Sequence, residues 1–250
     1  AQVFMIIAVP VLILGYAGRY FKKSNYFKIK DTVSNQDNAI DLAYLKGQNI
    51  FSVDLKMQAQ YLCGIYPVYK NIRLARILPC RIFIDFIKRK PLAYLKLYKY
   101  FLVDQDAVLF DAPQSADMDL PVILGLETKI FGPRAGNKIE AKELAYALNI
   151  IKKIQANRAL RSWKIEKIDL ISPLNASFFI VSTLKDPDPR AGESDSGPLE
   201  VKIGQAGLEY KINILSGLLI QLQKDRFNIK YIDLRFKEPV VKFRDKNAKK

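Results

Sequence analysis

"RILPCRIFIDFIKRKPLAYL", residues 76–95, is the stretch on which the fold turns. Ile82, Ile84 and Phe86 recur every second residue through Arg81–Ile87, the period of a strand with one buried face. The preceding run, Lys70–Ile77, has the same texture, and Leu78-Pro79-Cys80 is the step that joins the two. The basic knot Lys88-Arg89-Lys90 then stands before Pro91, where a new apolar run begins. The stretch predicts the last two strands of a small sheet and the passage into a second domain.

Upstream of this hairpin, "YFKIKD" (26–31) alternates well enough for a short strand. "NQDNAIDLAYLKG" sets Ala39, Ile40, Ala43 and Tyr44 at helical spacing and stops at Gly47. In "SVDLKMQAQYLCGIYP", Ser52 or Asp54 is placed to cap a helix whose apolar face is Leu55, Ala59, Leu62 and Cys63, and Gly64 and Pro67 end it. The order is strand, helix, helix, strand, strand: two helices on one face of a three-stranded sheet.

Downstream, "AYLKLYKYFLVDQDAVLF" gives a run to Tyr98 and then a hairpin in which Phe101–Val103 and Val108–Phe110 flank Asp104, Gln105 and Asp106. A polar stretch leads to Leu120-Pro121-Val122. The segment Ile139–Leu160 reads as a helix with Leu144, Ala147, Leu148, Ile151 and Ile154 on one face. Strands are expected at Trp163–Ile171, Ala176–Thr183, Leu199–Ile203, Tyr231–Phe236 and Val240–Phe243, with a second helix at Lys211–Gln223. "KDPDPRAGESDSGP" (185–198) has the composition of an exposed loop.

Residues 1–18, "AQVFMIIAVPVLILGYAG", carry no charge. As a helix they would reach roughly 27 Å at about 1.5 Å per residue, close to the hydrocarbon thickness of a bilayer. Pro10 is tolerable in such a helix. A membrane span is the expectation; a cleaved signal peptide ending near Gly15-Tyr16-Ala17 and a buried core helix are the rival readings. The sequence opens on Ala1 rather than Met, so a segment upstream of it is expected. Arg19, Lys22 and Lys23 pull the downstream side inward under the positive-inside rule, against the orientation reached below.

Forty Lys and Arg against 25 Asp and Glu leave a formal charge of +15, suited to an anionic surface. The chain has no histidine and two cysteines, which removes Ser-His-Asp and Cys-His chemistry. Cys63 and Cys80 lack the paired spacing of a zinc site, so neither a metal nor a cofactor is expected. A Ser-Lys nucleophile and a carboxylate pair are supported by no local pattern. Cys63 is expected as a buried free thiol; a disulfide to Cys80 is allowed by an oxidising compartment but not indicated by spacing. Lys88-Arg89-Lys90 has neither a Gly-rich cradle nor a stacking platform, so it reads as a solvated strand end and not as a nucleic-acid site.

The order of elements, with "GQNIFSVDL" (47–55), "YPVYKNIRLARILPCRIFIDFIKRKPLAYL" (66–95), "YFLVDQDAVLF" (100–110), "LPVILGL" (120–126) and "YIDLRF" (231–236), resembles the FtsQ/DivIB family of bacterial cell-division proteins. The likeness runs over almost the whole chain. It departs at Lys88, where the family commonly has an acidic residue before Arg-x-Pro, at Ala107, where the hairpin usually ends in Gly, and after Asp31, where no Gly follows.

The resemblance implies an α+β chain: a transmembrane helix at 1–20, a POTRA domain (β-α-α-β-β) at 24–92, a larger β-rich domain with two helices at 93–244, and a basic tail at 245–250. It implies a non-enzymatic, single-pass inner-membrane protein, mostly periplasmic and enriched at the septum. There it would scaffold the divisome, bind FtsB- and FtsL-type coiled-coil partners and help control septal peptidoglycan synthesis. In the family the partner docks on the last strands. Here those are "RFKEPVVKF": Arg235 and Phe236 match the family's Arg-aromatic pair, and Val240, Val241 and Phe243 form the final strand, which Pro239 can precede. An edge strand offers unpaired backbone groups on which a partner segment can add. The alternative is a POTRA-containing factor for protein transport or outer-membrane assembly, which would call for the alternating strands of a membrane barrel that this chain lacks. A cell-wall enzyme comes third.

Overall fold

The computed structural model describes residues 20–21, 23–35, 42–112, 119–172, 175–183, 197–222 and 228–244. The expected span at 1–18, the start of the first expected helix, most of the loop at 185–198 and the tail from 245 lie outside the described residues. Among the described residues, no helix is long and apolar enough to cross a membrane. The chain divides into two compact units, Ala1–Arg89 and Lys90–Lys250.

The first unit holds β1 (Asp31–Ser34), a 3-10 turn at Ala43–Leu45, α1 (Leu55–Ile65), β2 (Tyr69–Ile77) and β3 (Arg81–Lys88). Its sheet runs β1-β3-β2. The hairpin lies where alternation puts it, with Ile77 opposite Arg81 and Tyr69 opposite Lys88, and Ile82, Ile84 and Phe86 are buried. β1 is parallel to β3, Asp31 beside Arg81 and Ser34 beside Ile84.

The strand expected at Tyr26–Asp31 is displaced. Asn25–Phe27 instead form a 3-10 turn, because Ser24 Oγ accepts the Tyr26 N–H, and the strand begins only at Asp31, where β3 offers a parallel partner. Of the two helices expected, the second is α1, capped by Asp54 Oδ1, which accepts from the N–H groups of Lys56 and Met57 at 3.0 Å each. The described part of the first is the turn at Ala43–Leu45. Leu42 and Leu45 are its buried residues, whereas Tyr44 faces outward and its hydroxyl donates to Gln58 Oε1. Leu55, Leu62, Ile72, Ile82, Ile84 and Phe86 share one core with Ile29 and Ile50, and Cys63 packs half-buried against it. Cys63 and Cys80 are both free thiols.

The second unit contains β4 (Pro91–Lys96), β5 (Tyr100–Asp104), β6 (Leu109–Asp111), β7 (Val122–Leu124), α2 (Lys142–Ala156), β8 (Trp163–Ser172), β9 (Asn175–Ser182), β10 (Leu199–Ile203), α3 (Leu208–Gln221), β11 (Ile229–Asp233) and β12 (Val240–Phe243). All eleven elements except α2 and α3 join one nine-stranded sheet, in the order β12-β11-β10-β9-β8-β7-β4-β5-β6. β7 lies parallel between β4 and β8, and β10 is parallel to β11; the other pairings are antiparallel.

The apolar stripe of α2 is the one its spacing predicts: Leu144, Ala147, Leu148, Ile151 and Ile154 are buried. They share a core with Leu208, Ile212, Leu215 and Leu219 of α3 and with Ile168, Leu170, Phe178, Ile180, Val201 and Ile232 of the sheet. Each of the Leu, Ile, Val and Phe side chains among them contributes about 1.5–3 kcal/mol by leaving water. The helix stops four residues before the expected Leu160, since Asn157 Oδ1 accepts the Ala159 N–H and starts a 3-10 turn at Arg158–Leu160. α3 starts three residues before the expected Lys211, after Gly207 at φ +67°.

Two backbone features fix the strand ends. Gly125 closes β7 at φ +87°, and a Cβ there would come within 2.9 Å of the Leu170 carbonyl carbon and oxygen, so only glycine lets β7 lie against β8 so closely. In the β5–β6 hairpin, Asp104 is buried and its Oδ1 accepts from the N–H groups of Asp106 and Val108. Ala107 there takes φ +61°, the conformation for which glycine is the usual residue.

Candidate functional site

The nine-stranded sheet has two unlike edges. At β6 the outer side is taken at Leu109, whose N–H donates to Asn137 C=O at 3.0 Å and whose C=O accepts the Gly136 N–H at 2.7 Å. At the other end stands β12, with β11 on its inner side and, among the described residues, no strand on its outer side. β12 is antiparallel to β11, Val240 opposite Asp233 and Val241 opposite Ile232. Beyond a bulge in β11, the Arg244 N–H turns inward to Asn228 C=O. Alternation then directs the backbone groups of Val241 and Phe243 outward.

All five residues expected at the docking edge come together here, though in different roles. Val240 and Phe243 are exposed, while Val241 is half-buried against the large core. Arg235 and Phe236 do not extend the strand expected at Tyr231–Phe236; β11 ends at Asp233 and they form the connection to β12. The cause is the Asp233 carboxylate, 5 % exposed. Its Oδ1 accepts the Arg235 backbone N–H at 3.0 Å, which draws the chain out of the ladder. The guanidinium follows, with Nε at 3.0 and 3.1 Å from the two oxygens and Nη2 at 2.6 Å from Oδ2. The Arg235 side chain thus braces the turn, and its charge also lies over the Phe236 ring, 5.7 Å from the centroid.

This pairing sets the electrostatics. Burial pushes the Asp233 carboxyl up, but the Arg235 hydrogen bonds and charge, with Lys202 behind them, outweigh it and hold it below the usual carboxylate range. Arg235 is raised in turn, first by its bond to Asp233. Phe236, 63 % exposed, is thereby presented on an anchored turn. Beside it Tyr210, Lys211 and Ile214 of α3 line a small cleft with Leu234, Phe236, Lys237 and Pro239.

Asp233 is the residue that reading the sequence for partner contacts overlooks, although the signal is present. Asp-x-Arg in "YIDLRF" places the two side chains on one side of an extended backbone, within reach of a salt bridge. The α3 wall of the cleft has no such local signal, being 20 or more residues away along the chain.

Other candidates show structural contacts. In the basic knot, Arg89 Nε donates to Pro67 C=O at 2.9 Å and its backbone N–H to Val68 C=O, bracing the end of the small sheet. Among the described residues, no group of three or more His, Cys, Asp or Glu is placed to hold a metal. Tyr94 and Tyr100 pack edge to face on neighbouring strands.

The family described as cell division protein FtsQ/DivIB, C-terminal, matches residues 93–235. A cell division protein FtsQ from Geotalea daltonii is 24 % identical over 230 residues, covering 90 % of this chain and 77 % of the relative. A cell division protein FtsQ from a Geobacter species, strain M21, is 24 % identical over 209 residues, 83 % of this chain and 70 % of the relative.

Proposed function

Since this chain belongs to the FtsQ/DivIB family of cell-division proteins, we propose that it is a non-enzymatic scaffold of the divisome that captures its partner by strand addition at β12. Membership carries a role in cell division, at the division-site membrane and together with other division proteins. The finer reading is a single-pass inner-membrane protein with the bulk of the chain, including a POTRA domain, in the periplasm. Its partners there are FtsB- and FtsL-type coiled-coil proteins, and its task is to help control septal peptidoglycan synthesis.

The observation that supports the docking assignment is that, among the described residues, no strand covers the outer side of β12, next to an anchored, exposed Phe236. A partner segment adding as a tenth strand takes main-chain bonds from Val241 and Phe243, and its side chains find Phe236 and the adjoining cleft. The test is co-purification of coiled-coil division proteins with Phe236→Glu and Phe243→Glu, both exposed positions. Loss of capture with unchanged melting is expected, and unchanged capture by both variants refutes the assignment. A fluorescent fusion tests the cellular reading: enrichment at the septum supports it, and uniform envelope fluorescence refutes it.

A further inference from the structure

We infer that the first unit sits directly on the head-group layer of an anionic bilayer, through a cap of exposed aromatics and lysines, Tyr20, Phe21, Lys23, Tyr26, Lys28 and Lys30. The inference rests on the proposed reading of residues 1–18 as a membrane span.

Charge comes first. The first thirty residues hold five positive charges, Arg19, Lys22, Lys23, Lys28 and Lys30, and no negative one; the first carboxylate is Asp31. Among them Tyr20, Phe21 and Tyr26 are 65 %, 45 % and 67 % exposed. Aromatic rings beside lysines are what the boundary between hydrocarbon and head groups favours, the ring in the interface and the cation toward lipid phosphate.

These rings are fixed to the unit. Phe27 stacks edge to face with Phe21 at 5.4 Å, Tyr26 at 5.2 Å and Phe51 at 5.1 Å, and Phe27 and Phe51 pack against the small core. The Asn49 amide donates to the carbonyls of Phe21, at 2.8 Å, and Ser24, at 3.3 Å. The Ser24 N–H closes a turn onto Tyr20 C=O, and the Ile50 N–H holds Phe27 C=O at 2.9 Å.

Continuity selects lipid over a protein partner as the occupant. Tyr20 is two residues beyond Gly18, so chain geometry allows at most about 7 Å between them. The head-group layer is roughly 5–8 Å deep on each side. With Gly18 at the edge of the hydrocarbon, Tyr20 reaches at most about the outer face of that layer, and the Asn49 bonds to Phe21 and Ser24, with the Ile50 bond to Phe27, keep the following turn beside it.

The full chain, reconstituted into bilayers containing phosphatidylglycerol with brominated acyl chains, gives the test. Trp163 is the single tryptophan. Tyr26→Trp adds a reporter in the cap. Tyr66→Trp adds one near the Lys88 end of β3, roughly 23 Å along that strand from Arg81 at the cap end. Bromolipid is expected to quench the Tyr26→Trp emission about twofold more than that of Tyr66→Trp, and Asn49→Ala, or phosphatidylcholine in place of phosphatidylglycerol, should reduce that excess. Equal quenching of the two reporters in a chain that survives an alkaline wash of the vesicles overturns the seat and leaves the span intact. Release of the chain by the wash overturns the span reading and the seat together.

Discussion

Replacing Asp233 with Asn tests whether a carboxylate holds the turn that presents the edge strand. Asp233 is 5 % exposed and takes three Arg235 donors, the backbone N–H, Nε and Nη2. A hydrogen bond to a charged group is worth about 1.5–3 kcal/mol and a neutral one about 0.5–1.5. Asn keeps one acceptor but turns an N–H₂ toward the guanidinium. Two charge-assisted bonds are weakened or lost, but the Arg235 side chain is 34 % exposed, so water recovers part of its solvation. The expected cost is about 2 kcal/mol, below the roughly 3–5 of breaking a fully buried pair. For a unit of this size that lowers Tm by about 4–8 °C. The pH dependence is specific: a carboxyl held below its usual range contributes stability above its unfolded value, near 4, and loses it as pH falls through the folded value. Thermal melts of the two proteins should differ at pH 7 and converge below about pH 4. A gap under about 0.5 kcal/mol at pH 7, or one that does not narrow in acid, refutes this account of the turn.

Gly125→Ala should cost about 1–2 kcal/mol by urea unfolding from the left-handed backbone alone, and more from the 2.9 Å approach to Leu170. Burial pushes the Tyr146 phenol up to about 12, and its hydroxyl donates to Gly204 C=O at 2.9 Å. Its contribution is complete below the unfolded value near 10 and is lost as pH rises through the folded value. Tyr146→Phe should therefore cost about 1 kcal/mol at neutral pH and flatten the fall in stability between pH 10 and 11. Phe178→Ala, at a fully buried position, should cost about 3–5 kcal/mol, whereas Phe243→Ala should stay within about 0.5 in denaturant melts while weakening partner capture.

What the sequence makes legible here is local. The hairpin ends at Ile77 and Arg81, the buried stripe of α2 and the bounds of β10 and β12 follow from alternation, helical spacing and turn residues. Elements whose cause is remote are lost or misplaced. β7 is three residues long and exists because β4 and β8 flank it. β1 lies at Asp31 instead of Tyr26 because a parallel partner 50 residues away and the ring cluster around Phe27 outweigh a weak alternation. At the proposed docking edge the residue types were readable from the resemblance. That Arg235 spends its guanidinium on Asp233 was not, since a strand continued to Phe236 satisfies the same local pattern.

The difference between the two sheet edges bears on stoichiometry. Among the described residues, Leu109 is already bonded to the 136–137 segment at one end and β12 has no strand on its outer side, so the proposed docking would seat one guest strand at β12. Two copies meeting through β12 would each block the other's vacancy. Self-association by that route and the proposed partner capture would therefore exclude each other, and raising the concentration of either competitor would titrate the other away.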